Sequence, residues 1–291
     1  MFTDFRTDLA LERREILPKS DLSGIETEFF KEASASVTKI KVTDSEGASR
    51  LGKPMGTYIT AEIPPLTKYC DSEAELARAL GKLLSSLIPK TGTVMTVGLG
   101  NESITPDALG PLSCSMILAT RHIESEFSES AGLGSLRPSA VFVPGVLGQT
   151  GVETAEIIRS LVKSIKPCAV IAIDALAARR LSRLGSTVQM SDTGIIPGSG
   201  VGNRRTAINK DTLGVPVISV GIPTVVDAVT LANELSGREV KENSENEKMI
   251  ITPREIDIVI SRAARLLALS VNSALQPHIS VEEMLSLVTL V

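Results

Sequence analysis

Tryptophan is absent from this 291-residue chain and aromatic residues make up only 3% of it, so aliphatic side chains must fill any core. With 43% apolar residues, Val, Ile, Leu and Ala are numerous enough to do so, as expected of a parallel sheet buried on both faces. Histidine is scarce: His122 and His278 are the whole complement. That excludes a metal site built on several imidazoles, though not one made of carboxylates. A Ser-His-Asp triad would need one of these two histidines, and no Gly-x-Ser-x-Gly elbow is present. Cysteine is limited to Cys70, Cys114 and Cys168, an odd number without a C-x-x-C pair. Neither a disulfide framework nor a zinc knuckle is indicated, and a reducing compartment is expected. The net charge is −4 with no long basic run, which argues against nucleic acid as a direct ligand. No uninterrupted apolar stretch suggests a membrane span and the N-terminus lacks a secretory pattern, so a soluble, cytoplasmic protein is expected.

The pattern that is there reads as a single α/β domain with a mostly parallel central sheet and helices on both faces. Residues 1–35 read as a polar extension with weak structure of its own. The runs Ser36–Thr43 and Thr57–Ile63 alternate and predict an edge hairpin joined through Asp44–Gly56. Helical spacing covers Ser72–Leu87, capped by Asp71 or Ser72, and predicts further helices at Pro106–Ala119, Thr154–Ile165, Ala175–Leu184, Thr224–Leu235 and Pro253–Leu275. Strands are expected at Thr93–Leu99, Ala140–Pro144, Ala169–Ile173, Thr187–Met190 and Val215–Val220, with a charged surface loop at Arg238–Lys248.

Ligands of open parallel sheets bind beyond the carboxyl ends of the strands. Chemistry therefore belongs in the segments just past these strands: Gly98-Leu99-Gly100-Asn101 leading to Asp107, then Gly145, then Asp174, then Gly198-Ser199-Gly200. Asp174 ends an apolar strand, where it reads either as an N-cap for a helix starting at Ala175 or as a functional acid. Asp107 reads either as a first-turn acid favoured by the helix dipole or as its partner. Two carboxylates brought together share a proton, one serving as general base on water while the other polarises a carbonyl. Asp192 and Asp227 read as structural caps or loop acids. Gly98-x-Gly100 lacks the third glycine of a dinucleotide fingerprint, and Gly198–Gly202 lacks the Lys-Ser/Thr of a phosphate loop. No cofactor is called for. A peptide- or small-ligand-binding module using the same glycine-rich edge without turnover is the non-enzymatic alternative.

Six blocks in order carry a family likeness: Gly98–Asn101, Thr105–Pro111, Pro144–Val146, Ala172–Arg179, Pro197–Asn203 and Gly221–Ala228. Together they resemble the germination proteases of spore-forming bacteria. The likeness runs from Arg6-Thr7-Asp8-Leu9-Ala10 to Thr252–Asp257. It implies a fold like that of hydrogenase maturation proteases, a homotetramer, and an atypical aspartic endopeptidase acting on small acid-soluble spore proteins in the forespore and spore core. Its essential aspartates fall on Asp107 and Asp174. It further implies a zymogen that is its own substrate, cut between Asp8 and Leu9, so that 1–8 is a propeptide and 9–291 the protease. Within the latter, 9–70 would be extension and hairpin, 71–237 the catalytic core and 252–291 a helical end. Gly98, Gly100, Asn101, Gly145, Gly198, Ser199 and Gly200 are then candidates for gripping an extended peptide. The segment 236–252 is short for the family. A metal-assisted maturation protease or hydrolase on the same fold, with the two aspartates as ligands, is the alternative enzyme.

Overall fold

The computed structural model describes residues 6–18, 21–68, 72–201, 205–236 and 249–289. One nine-stranded sheet organises them, in the order β1-β2-β3-β7-β8-β6-β4-β5, with β9 paired to β8. The strands are β1 (Ile25–Glu32), β2 (Ala35–Val42), β3 (Gly56–Glu62), β4 (Val94–Gly98), β5 (Ser139–Phe142), β6 (Ala169–Ala178), β7 (Thr187–Ser191), β8 (Val217–Asp227) and β9 (Ile250–Ile251). Only the block β5-β4-β6-β8 is parallel; β7, β3, β2 and β1 continue it antiparallel, so the sheet is mixed rather than mostly parallel.

Helices α1 (Ala10–Ile16), α2 (Ser45–Leu51), α3 (Glu73–Ser85), α4 (Leu109–Cys114), α5 (Ser125–Ser130), α6 (Leu147–Thr150), α7 (Thr154–Ile165), α8 (Lys210–Leu213), α9 (Ala228–Ser236), α10 (Ile256–Leu275) and α11 (Val281–Thr289) complete the chain. Both faces of the sheet are covered. The period of two in β6 sends Ile171 and Ile173 into a core shared with α3, α4 and α10, and Val170 and Ala172 into one shared with α7 and α8. Helix α10 has the length and hydropathy of a membrane span, yet 72% of its apolar window is buried inside the protein. It is the central core helix, packed along α3 and α4.

Five sequence expectations are corrected. The described residues among the first 35 are not weakly structured. Leu9 and Ala10 are fully buried, and β1 pairs along its whole length with β2, its polar outer face having disguised the alternation. The strands expected to form an edge hairpin are neighbours, but they are joined through α2, and β1 forms the edge. The helix expected at Ala175–Leu184 is absent. Strand β6 runs on to Ala178, because pairing with β8 (Leu176 opposite Pro223, Ala178 opposite Val226) overrides the helix preference of an alanine-rich run. The helix expected from Thr224 likewise starts only at Ala228, since β8 continues to Asp227. Asp174 is therefore no helix cap. The Pro106–Ala119 helix shrinks to a 3-10 turn, Thr105–Asp107, and the short α4. Asp71, Cys70 and the Arg238–Lys248 loop lie outside the described residues.

Candidate active site

Strands β4 and β6 run side by side to Gly98 and Ile173, and the amide of Leu99 makes the last rung, donating to the Ile173 carbonyl at 2.8 Å. The chain then leaves β4 at Gly100, whose φ of +111° is open to glycine and strained for other residues. A Cβ there would lie 2.0 Å from the Asp107 carbonyl oxygen. This turn folds the loop back so that the Asn101 amide donates to Asp107 Oδ2 at 2.7 Å. The Asn101 side chain ties the loop to its neighbour, accepting from Gln149 Nε2 at 3.0 Å. Thr224 of β8 holds the same turn through its hydroxyl, 2.8 Å from the Pro106 carbonyl.

Asp174 lies on β6 one residue beyond that last rung, only 6% exposed, with Oδ1 accepting from the Ala175 amide at 2.9 Å. Burial holds its carboxyl well above the usual carboxylate range, and the negative charges of Asp107 and then Asp8 raise it further. Burial also raises Asp107, against the opposing hydrogen bond from Asn101. Both acids line one cleft of about 590 Å³. Of the two, Asp174 is the more buried and is raised further.

Gly100, Asn101, Gly145, Gly198 and Gly200 line this cleft as well. Gly98 does not. It packs on α4, where a Cβ would stand 2.4 Å from the Gly110 carbonyl oxygen, so its smallness serves helix-on-sheet contact. Ser199 lines an adjoining depression of about 470 Å³ instead, and Asp8 belongs to both hollows. Gly202 and Asn203 fall outside the described residues. The acids read as structural are so here: Asp227 accepts from Thr230 at the start of α9, and Asp192 from the Thr57 amide. His122 and His278 are exposed.

The N-terminal segment enters the site. Asp8 donates its amide to the Ala177 carbonyl and accepts the Ala177 amide on Oδ2, each at 2.9 Å. Leu9 is buried against Leu176, Ala178 and Val226.

A family model described as germination protease matches residues 6–248. The chain belongs to the germination protease family. Its relatives include the germination protease of Caldanaerobacter subterraneus subsp. tengcongensis, 42% identical over 96% of both chains, and that of Clostridium perfringens, 39% identical over 96% of this chain and 97% of the other. The Bacillus subtilis germination protease is 43% identical over 84% of this chain and 71% of its own. Among solved structures, a [NiFe] hydrogenase maturation protease from Thermococcus kodakarensis is similar at 16% identity and a TM-score of 0.36, covering 65% of this chain and 98% of that one. Membership makes this chain a peptidase of spore germination.

The sequence pattern did not point to Lys53 or Gln189. Lys53 Nζ and Gln189 Nε2 both donate to the Asp8 carbonyl oxygen, at 2.9 and 2.8 Å. Lys53 sits in what reads as a connecting loop, and burial lowers its pKa, opposed by Asp8 and reinforced by Arg13. Gln189 did leave a signal, as the polar residue between the buried Val188 and Met190 of β7.

Proposed function

We propose that this member of the germination protease family is an atypical aspartic endopeptidase in which Asp107 and Asp174 divide the work. Asp107, as carboxylate, takes a proton from water as the water oxygen bonds to the peptide carbon, and Asp174, protonated, donates to the carbonyl oxygen; the C–N bond then breaks as the proton on Asp107 passes to the leaving amine and the hydroxyl so formed returns its proton to Asp174. The observation that carries this reading is the convergence of the two acids from separate strand ends into one cleft, with Asp174 buried and its proton affinity raised by the charge of Asp107. The substrates proposed, on the family resemblance, are the small acid-soluble proteins that coat spore DNA. The assembly is a homotetramer and the location the forespore and spore-core cytoplasm.

The chain is proposed to be a zymogen cut between Asp8 and Leu9, and the uncut form to be the latent one. Supporting this, Asp8 lines the cleft that a substrate must enter, together with Asp107 and Asp174. The test is to change Asp107 and Asp174 to Asn separately and assay an acidic peptide. Each change is expected to lower turnover on the order of 10²–10⁴-fold. Full activity in either variant refutes the pair. Activity that survives a chelator is expected; activity abolished by chelation and restored by a divalent ion assigns the acids to a metal instead.

A further inference from the structure

Past Ile173 the side of β6 that faced β4 is an open edge. Its outward amides are Ala175, Ala177 and Arg179, and each donates to a carboxylate: Asp174 at 2.9 Å, Asp8 at 2.9 Å and Glu12 at 2.7 Å. Because the Asp8 amide donates back to the Ala177 carbonyl, residue 8 is added to this edge as a strand residue would be. Every recognisable part of it has its own partner. The second carboxylate oxygen accepts from Ser199 Oγ at 2.8 Å. The carbonyl oxygen is held by Lys53 and Gln189, and Gln189 Oε1 reaches past it to accept the Ala10 amide at 2.6 Å. Gly200 leaves the space: a Cβ there would stand 2.2 Å from Asp8 Oδ2 and 2.6 Å from Ala177 Cβ. The next side chain, Leu9, fills an apolar hollow of its own.

A carboxylate, a carbonyl and an aliphatic side chain bound in that order describe a peptide-reading site. We infer that the Ala177 amide, Ser199 and the space over Gly200 form the subsite for an acidic residue of the protein substrate. The hollow of Leu176, Ala178 and Val226 takes the aliphatic residue next in the chain; Lys53 and Gln189 hold the carbonyl between them in the uncut form and must release it to Asp174 before the bond after residue 8 is cut. In this structure the chain's own Asp8-Leu9 occupies the site. The inference rests on the proteolytic reading of the neighbouring acids and supplies its specificity.

A double-mutant cycle on the full-length chain tests it, comparing the unaltered protein, Asp8→Asn, Ser199→Ala and the double variant. Conversion at residue 8 is followed by intact mass. In parallel, hydrogen exchange of the Leu9 and Ala10 amides is measured in an Asp107→Asn background, where no chemistry is needed. Asp8→Asn is expected to slow conversion and speed exchange by roughly tenfold, since it removes the charge from two hydrogen bonds. In Ser199→Ala the same change should do much less. A peptide pair, Asp-Leu against Asn-Leu, adds a ratio that simple destabilisation leaves unmoved: Ser199→Ala should carry the preference for Asp towards unity. Gly200→Ala should expel the segment and speed exchange by itself. Additive effects in the exchange cycle, or an unchanged peptide preference, overturn the subsite. Coupled exchange with no conversion in any of the four proteins upholds the subsite and removes the proteolytic reading instead.

Discussion

The carboxylate of Asp8 stands 2.9 Å from the amide of Ala177, which sets a third acid within electrostatic reach of Asp174. The consequence has a definite sign. A negative neighbour makes a proton on Asp174 harder to remove, so Asp8→Asn should lower the Asp174 pKa. The shift should be partial, because burial is the larger cause and stays in place. A carboxyl-carbon NMR titration reads this directly, and a midpoint that holds or rises contradicts it. Loss of residues 1–8 in the proposed maturation should act in the same direction.

Asp174 should also weaken the fold it serves. Its carboxyl binds a proton more tightly in the folded chain than in the unfolded one, where the ordinary value is 3.8. Stability therefore falls as pH rises above that value and levels off only above the raised folded value. Asp174→Asn removes the ionisation, so the variant should be more stable than the parent at neutral pH, on the order of 1–3 kcal/mol, while losing activity. Thermal melts across the pH range should show the gap widening from acid to neutral. A variant less stable at every pH would mean that favourable contacts of the carboxyl, such as the Ala175 amide, outweigh its burial and the charges of Asp107 and Asp8.

The two acids were legible in the sequence for a reason that does not extend to the rest of the site. Asp107 and Asp174 each come after an apolar run, and the topology of a parallel block brings such positions together whatever the loop lengths. The identity of the element holding Asp174 was not legible. Ala175-Leu176-Ala177-Ala178 favours a helix locally, and only the non-local ladder to β8 makes it a strand. Lys53 and Gln189 meet Asp8 from α2's exit and from β7, contacts that no local pattern encodes. The N-terminal segment was misread for the same reason, since its polar residues are satisfied by partners more than 160 positions away, as Glu12 is by the amides of Arg179 and Arg180.

Glu12 should prove indispensable to folding. It is 1% exposed, accepts from the Thr7 hydroxyl and from the Arg179 and Arg180 amides, and faces Arg183 Nε at 3.5 Å, an ion contact rather than a hydrogen bond. Arg183, itself 5% exposed, is shared with Glu15 at 2.7 Å and Glu62 at 3.0 Å. Removing one member strands buried charge and two amides, so Glu12→Ala should cost about 3–5 kcal/mol. Urea denaturation measures it. A loss below about 1 kcal/mol would mean that water reaches the network.

Cys114 should resist alkylation in the native protein. It is buried against the close contact of Gly98 with α4, and burial pushes its thiol up to about 12, so almost no thiolate exists at neutral pH. Iodoacetamide followed by peptide mapping should leave Cys114 unmodified until the chain is unfolded. Rapid native labelling would place it on a surface or in an opening segment.

Gly100→Ala offers a way to move one acid without altering either. The residue needs φ of +111°, and an added Cβ would meet the Asp107 carbonyl oxygen at 2.0 Å and Oδ1 at 3.0 Å. Strain of this kind costs of order 1–3 kcal/mol, and the chain relieves it by displacing the turn that bears Asp107. The sheet beneath is untouched, because the last rung, Leu99 to Ile173, lies before the glycine. The variant should therefore stay folded, with unchanged far-ultraviolet circular dichroism, while turnover drops on the order of 10²-fold for a displacement of about 1 Å. The Asp174 titration midpoint should fall as well, because the charge of Asp107 has moved away. Loss of turnover without that fall would show that the glycine matters for substrate passage and not for bringing the acids together.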